Sequence, residues 1–127
     1  VISDFRRIFF NEELLTFADF NREHARCLAF LKEAVSSSNA RKKIVVTHHV
    51  PSFQMQCPKF ADSLANGAFT VELEDYIKDS GIDFWIYGHS HYNADVRIGN
   101  TMCISNQLGY VFHGEHESFD PCKNIEV

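Results

Sequence analysis

In the stretch Trp85-Ile86-Tyr87-Gly88-His89-Ser90-His91-Tyr92-Asn93, two imidazoles stand two positions apart, directly after an apolar run and a glycine. Extended backbone sends residues i and i+2 to the same side, with Cα atoms roughly 6.5 to 7 Å apart. Two neutral imidazoles so placed can converge on one metal ion or on two adjacent ones, with Gly88 supplying the turn and the small Ser90 leaving space. A lone H-x-H is also common by chance as surface polarity at a strand end, so the pair needs partners. A second source is Val45-Val46-Thr47-His48-His49-Val50-Pro51, where imidazoles again follow a short β-branched run. Adjacent residues of a strand point to opposite faces, so only one of this second pair is expected to face such a site. His48 is the preferred ligand, and His49 is left for supporting or substrate contacts.

Asn93 and His113 are further candidates for contacts around the ligands or with a substrate, His113 because it directly follows Tyr110-Val111-Phe112. His24 lies on an apolar helical stripe and reads as a hydrogen-bonded histidine at the core boundary, and His116 as solvated surface. Other chemistries find little support. Ser52 and Ser90 lack a G-x-S-x-G elbow, Cys57 has no base placed beside it by sequence, and there is no glycine-rich phosphate loop. Cys27, Cys57, Cys103 and Cys122 form no C-x-x-C pair and read as free thiols of a reducing compartment, with Cys27 and Cys103 in core-like segments.

The formal charge of −5 over 127 residues, with Lys and Arg scattered, gives no general attraction to nucleic acid or anionic membrane. No run approaches the roughly 20 apolar residues that cross a bilayer. The expectation is a soluble cytoplasmic chain whose residues 1–127 form one domain, with 45% hydrophobic residues and 12 Phe to build a single core.

Positioning these histidines requires strands whose ends share one rim. Residues 1–15 read as a short helix or irregular segment. Thr16 suits a helix N-cap and Asp19 the positive helix end, while Phe20, His24, Cys27, Leu31, Ala34 and Val35 recur at helical spacing, which predicts a helix over 17–35. Ile44 to Thr47 reads as a buried strand of a mostly parallel sheet. The connection over 48–69 has no sustained period, and such long loops are usually functional. Its Gln54, Gln56, Lys59 and Phe60 are candidate substrate contacts, with a packed lid of Phe53, Met55 and Phe60 as the equal alternative. Thr70 is expected to cap a helix reaching Ser80, which Gly81 stops, before a strand over 83–87.

Strand, loop, helix and strand imply a parallel pair with a right-handed crossover. That geometry brings His48 and His89 to the C-terminal ends of neighbouring strands, where open α/β sheets place their sites. Gly99-Asn100, between apolar runs over 94–98 and 102–105, signals a hairpin.

Taken together, VVTHHVPS followed by WIYGHSHYN resembles the last two metal-binding motifs of the calcineurin-like metallophosphoesterases. SDFRRI, the LTFADF helix, NGAF, RIGNT and the closing ISNQLGY with its later E and FDP resemble the C-terminal half of a bacterial branch, so the likeness spans nearly the whole chain. The resemblance implies an α/β fold, the C-terminal half of a layered α/β/β/α sandwich with short strands, two main helices and a terminal hairpin. It implies two divalent metal ions, zinc, manganese or iron, with His48 and His89 on one and His91 on the other. Metals roughly 3.5 to 4 Å apart activate water for attack on a phosphate mono- or diester, and imidazole nitrogens suit such ions.

The early D-x-H, GD-x-x-D and G-N-H-D/E motifs of that family, which carry the bridging aspartate, the asparagine ligand and the general acid, do not occur in these residues. With Val1 in place of a start methionine, the expectation is a domain whose N-terminal half lies elsewhere. Such a chain would by itself be inactive, hold metal poorly, and self-associate or require its missing half, since part of its sheet would lack partner strands. Two alternatives stand beside this reading. One is a mononuclear three-His zinc hydrolase built from His48, His89 and His91; the other is a non-catalytic interaction module on the same fold.

Overall fold

The computed structural model describes residues 2–127, which divide into two compact units between Asn39 and Ala40. In the first unit, α1 (Asp4–Arg7) leads into a two-stranded antiparallel hairpin of β1 (Phe9–Phe10) and β2 (Glu13–Leu14). Asn11 and Glu12 link the strands with φ of 51° and 70°, both left-handed as a type I′ turn requires. Glu is not a residue that announces such a turn, so the hairpin was not apparent from sequence.

The long helix α2 (Phe17–Ser37) begins where expected, in a reciprocal capping box. Thr16 Oγ1 accepts the Asp19 N–H at 3.1 Å, while the Asp19 carboxylate accepts the Thr16 N–H at 3.2 Å and its hydroxyl at 2.6 Å. The helix runs two residues beyond the expected Val35, and the Ser36 and Ser37 hydroxyls donate to the Glu33 carbonyl in its last turn. Its covered stripe is narrower than the periodicity implied: Val35 is buried and Phe20, His24 and Leu31 half-buried, but Cys27 and Ala34 are exposed. Phe5 meets Phe20 edge to face, and Arg22 lies over the Phe10 ring. These contacts hold α1 and the hairpin to the helix.

The second unit is built on a four-stranded mixed sheet in the order β3 (Ile44–Val46), β4 (Phe84–Ile86), β6 (Thr101–Ile104), β5 (Val96–Ile98). The first two pairings are parallel and the last antiparallel, so the expected parallel pair and terminal hairpin are both present. Val45 lies opposite Trp85, and Trp85 opposite Cys103, which lines up the buried centre of each strand. Trp85 is fully buried; its Nε1 donates to Thr47 Oγ1 at 2.9 Å, and Tyr76 packs edge to face on its ring. Burial pushes the Cys103 thiol up to about 11 and the Tyr87 phenol up to about 12, so both stay neutral. The Tyr87 hydroxyl donates to the Ala94 carbonyl at 2.6 Å.

The second helix is shorter than the sequence suggested. Thr70 is not its cap but is buried and bridged to Val50 in parallel, because Val50 exchanges backbone bonds with Phe69 and Val71. α3 (Glu74–Asp79) starts four residues later, with the Glu72 carboxylate accepting the Glu74 N–H at 2.8 Å. Gly81, with φ of 68°, ends it as expected. Gly99 at the hairpin turn also has φ of 58°, and a side chain there would crowd the Lys78 backbone at 3.1 Å. Among the described residues no helix is long and apolar enough to cross a membrane.

Candidate functional site

β3 and β4 end at Val46 and Ile86, and the parallel register carries both chains out of the sheet on the same side. The Thr47 N–H donates to the Ile86 carbonyl at 2.9 Å and the Gly88 N–H to the His48 carbonyl at 3.1 Å, so the two histidine loops are tied just past the strands. There the rings of His48 and His89 lie 4.5 Å apart between centroids, and those of His49 and His89 4.8 Å. Of the two expectations for the adjacent histidines, that one turns away or that it supports the site, the contact of His49 with His89 fits the second. The strand stops before Thr47 and His48-His49 form a bend, so strand alternation no longer governs them. Phe69 stacks on His89 at 4.7 Å and an interplanar angle of 23°, which places the long loop beside the histidines.

The second loop also departs from the extended geometry assumed for it. Gly88 has no positive φ; the left-handed residues are His89 and His91, at 71° and 51°. Successive reversals, not strand pleating, set the directions of the two rings. The ring contacts of His91 are different from those of His89: its Nδ1 donates to Glu115 Oε2 at 2.8 Å, and Tyr110 packs edge to face on it at 4.7 Å.

The rings that cluster are thus His48, His49 and His89, while His91 is bound up with the C-terminal segment. Among the described residues no group of three or more His, Cys, Asp or Glu side chains is arranged to hold a metal ion.

The C-terminal segment, whose ISNQLGY run entered the resemblance without a role for its residues, supplies contacts that the sequence did not reveal. Gln107 Oε1 accepts the His91 N–H at 2.8 Å, and its Nε2 donates to the Tyr92 carbonyl at 2.9 Å. Asn93, a candidate from sequence, clasps the same residue: its Oδ1 accepts the Gln107 N–H at 2.6 Å and its Nδ2 donates to the Gln107 carbonyl at 3.0 Å. It is therefore a backbone clamp. Glu115 also accepts the Tyr110 N–H at 2.6 Å; this bond and that of His91 hold its carboxyl below the usual range. His113 is exposed and packs on Phe112 and Tyr110, and its charge also acts on Glu115.

In the long loop Met55 is buried but Phe53 and Phe60 are about half exposed, so it is only partly packed down. All four cysteines are free, and His24 belongs to the first unit.

The profile of the calcineurin-like phosphoesterases matches residues 3–93, a span that takes in both histidine loops. The chain is 28% identical over 120 residues to uncharacterized protein L509 of Acanthamoeba polyphaga mimivirus, covering 89% of this chain and 41% of that protein. It thus spans less than half the length of this curated relative. No solved structure matches it. With two imidazole-bearing loops leaving parallel strands on one side and the family profile running through both, the chain belongs to the calcineurin-like phosphoesterase family.

Proposed function

We propose that this chain supplies imidazole ligands to the metal centre of a phosphoesterase that cleaves phosphate mono- or diesters with an activated water. The observation that carries the reading is the convergence of His48, His49 and His89 at the ends of two parallel strands in a member of this family. The donor chemistry fits zinc, manganese or iron, all of which take imidazole nitrogen. The donor number is smaller than two metals need, so the shell is completed by groups outside the described residues. His48 and His89 would hold one ion and His91 a second. When bound, these ions supply Lewis-acid activation of water and neutralise charge on the phosphate.

This chain's own contribution is orientation. The Gly88–His48 backbone bond fixes the two loops against each other, Phe69 braces the His89 ring, and Gln107 and Asn93 hold His91 at its backbone. The four free thiols support work in a reducing, cytoplasmic compartment.

We also propose that the chain pairs with further polypeptide along β3. This strand lies at one end of the sheet order, and Ile44 and Val46 are 44% and 70% exposed.

The test is hydrolysis of bis(4-nitrophenyl) phosphate and 4-nitrophenyl phosphate by the full-length protein. Turnover that chelation abolishes and manganese or zinc restores is the expected result. No turnover of either ester with manganese, zinc and ferrous iron each supplied would sink the reading.

A further inference from the structure

A neutral imidazole offers its lone pair from only one nitrogen, and the hydrogen bond made by the other nitrogen decides which. For His91 that bond is made by Glu115. Glu115 Oε2 accepts from Nδ1 at 2.8 Å and is itself fixed by the Tyr110 N–H at 2.6 Å. The backbone of His91 is pinned by Gln107, and one side of its ring is closed by Tyr110.

Gly109 makes this arrangement sterically possible. Its φ is 62°, and a Cβ built there would stand 2.6 Å from Glu115 Cβ, 2.9 Å from Glu115 Oε2 and 3.2 Å from His91 Cβ. No side chain fits in that gap. The His91 and Glu115 side chains are 31% and 32% exposed, a setting in which an ion pair contributes little to stability. Orientation of the ring is then the larger consequence of the contact.

We infer that Glu115 is a positioning residue for His91: it holds the proton on Nδ1 so that the lone pair lies on Nε2, and Gly109 provides the space in which it does so. The inference rests on the reading of His91 as a metal ligand. Carboxylates that orient a ligating imidazole in this way alter metal affinity by about 10- to 100-fold when removed.

The experiment compares wild type with Glu115→Ala and Gly109→Ala in the full-length protein. One variant deletes the carboxylate, and the other displaces it while leaving it in the chain. Long-range proton–nitrogen NMR of the metal-free protein reads the His91 tautomer. Calorimetric titration with Zn²⁺ reads affinity, and His91→Ala serves as the reference for losing the ligand.

Wild type should show the Nδ1–H tautomer alone. Both variants should show a mixture and bind Zn²⁺ about 10- to 100-fold more weakly, with the remaining amide spectrum superimposable. If the tautomer and affinity persist in both variants while His91→Ala weakens binding, the positioning role is overturned and the ligand role stands. If His91→Ala leaves Zn²⁺ binding unchanged, the ligand role fails and the inference falls with it.

Discussion

His89 and His91 both occupy left-handed backbone, a region that non-glycine residues enter at a cost of roughly 1 to 3 kcal/mol and keep only when their surroundings over-determine them. The surroundings here are specific: Asn93 and Gln107 exchange side chain for backbone in both directions, and Gln107 in turn holds the His91 N–H. Replacing Asn93 with Ala removes two of these bonds. It should destabilise the second unit by about 1 to 2 kcal/mol and speed hydrogen exchange at the His91 amide. An unchanged exchange rate would mean that the clamp is not what holds the loop. Asn93 was a candidate from sequence, but the left-handed histidines were not legible there, because Gly88 is the residue on which propensity places a turn. The contact that holds the His91 backbone comes from Gln107, distant along the chain and with nothing in its type to announce the pairing.

At the scale of elements, legibility followed how local the determining contacts are. α2 could be read because Thr16, Asp19 and the apolar periodicity are all internal to it. α3 is shorter than expected because Thr70 looks like a cap until Val50 engages it, and the carboxylate that accepts the helix's first N–H, Glu72, lies past that position. Thr16→Ala should cost about 1 kcal/mol and raise exchange in the first turn of α2 with no effect on β3 to β6. Equal protection in mutant and wild type would refute the cap's role.

The starts of β3 and β4 are pinned by Asp83, whose carboxylate accepts the Lys43 N–H at 2.9 Å and the Lys42 ammonium at 3.1 Å. These bonds, the backbone one foremost, hold its carboxyl below the usual range. A carboxyl depressed in the folded state contributes stability that is present above its unfolded-state pKa and is lost as pH falls through the folded value. The urea midpoint of wild type should therefore fall below about pH 4 more steeply than that of Asp83→Asn. Parallel pH profiles would show that the contact is not coupled to folding.

For the molecule as a whole, the decisive features are an open sheet edge and a site assembled at the ends of two strands. The apolar run of β3 predicted a strand buried within a parallel sheet, yet Val46 is 70% exposed. The run was correctly read as a strand, but which of its flanks carries a neighbour is a matter of tertiary pairing, and among the described residues β4 is its neighbour in the sheet. At high concentration the isolated chain should gain mass in light scattering, and Val46→Lys should reduce that gain by placing a charge on the edge. A monodisperse monomer across the concentration range would contradict the edge-pairing proposal.

The two histidine motifs and their order pointed to the family from sequence, because they combine a fixed residue type with a fixed place after each of two strands. The orienting contacts behind those motifs are less constrained in type and came only from the fold. The deciding measurement is the rate of bis(4-nitrophenyl) phosphate hydrolysis by the full-length manganese-loaded protein carrying His89→Ala, beside His24→Ala in the first unit as a control. The account predicts a loss of at least about 100-fold for His89→Ala, the scale of removing a metal-activating group, and wild-type turnover for His24→Ala. Wild-type turnover by His89→Ala would contradict it.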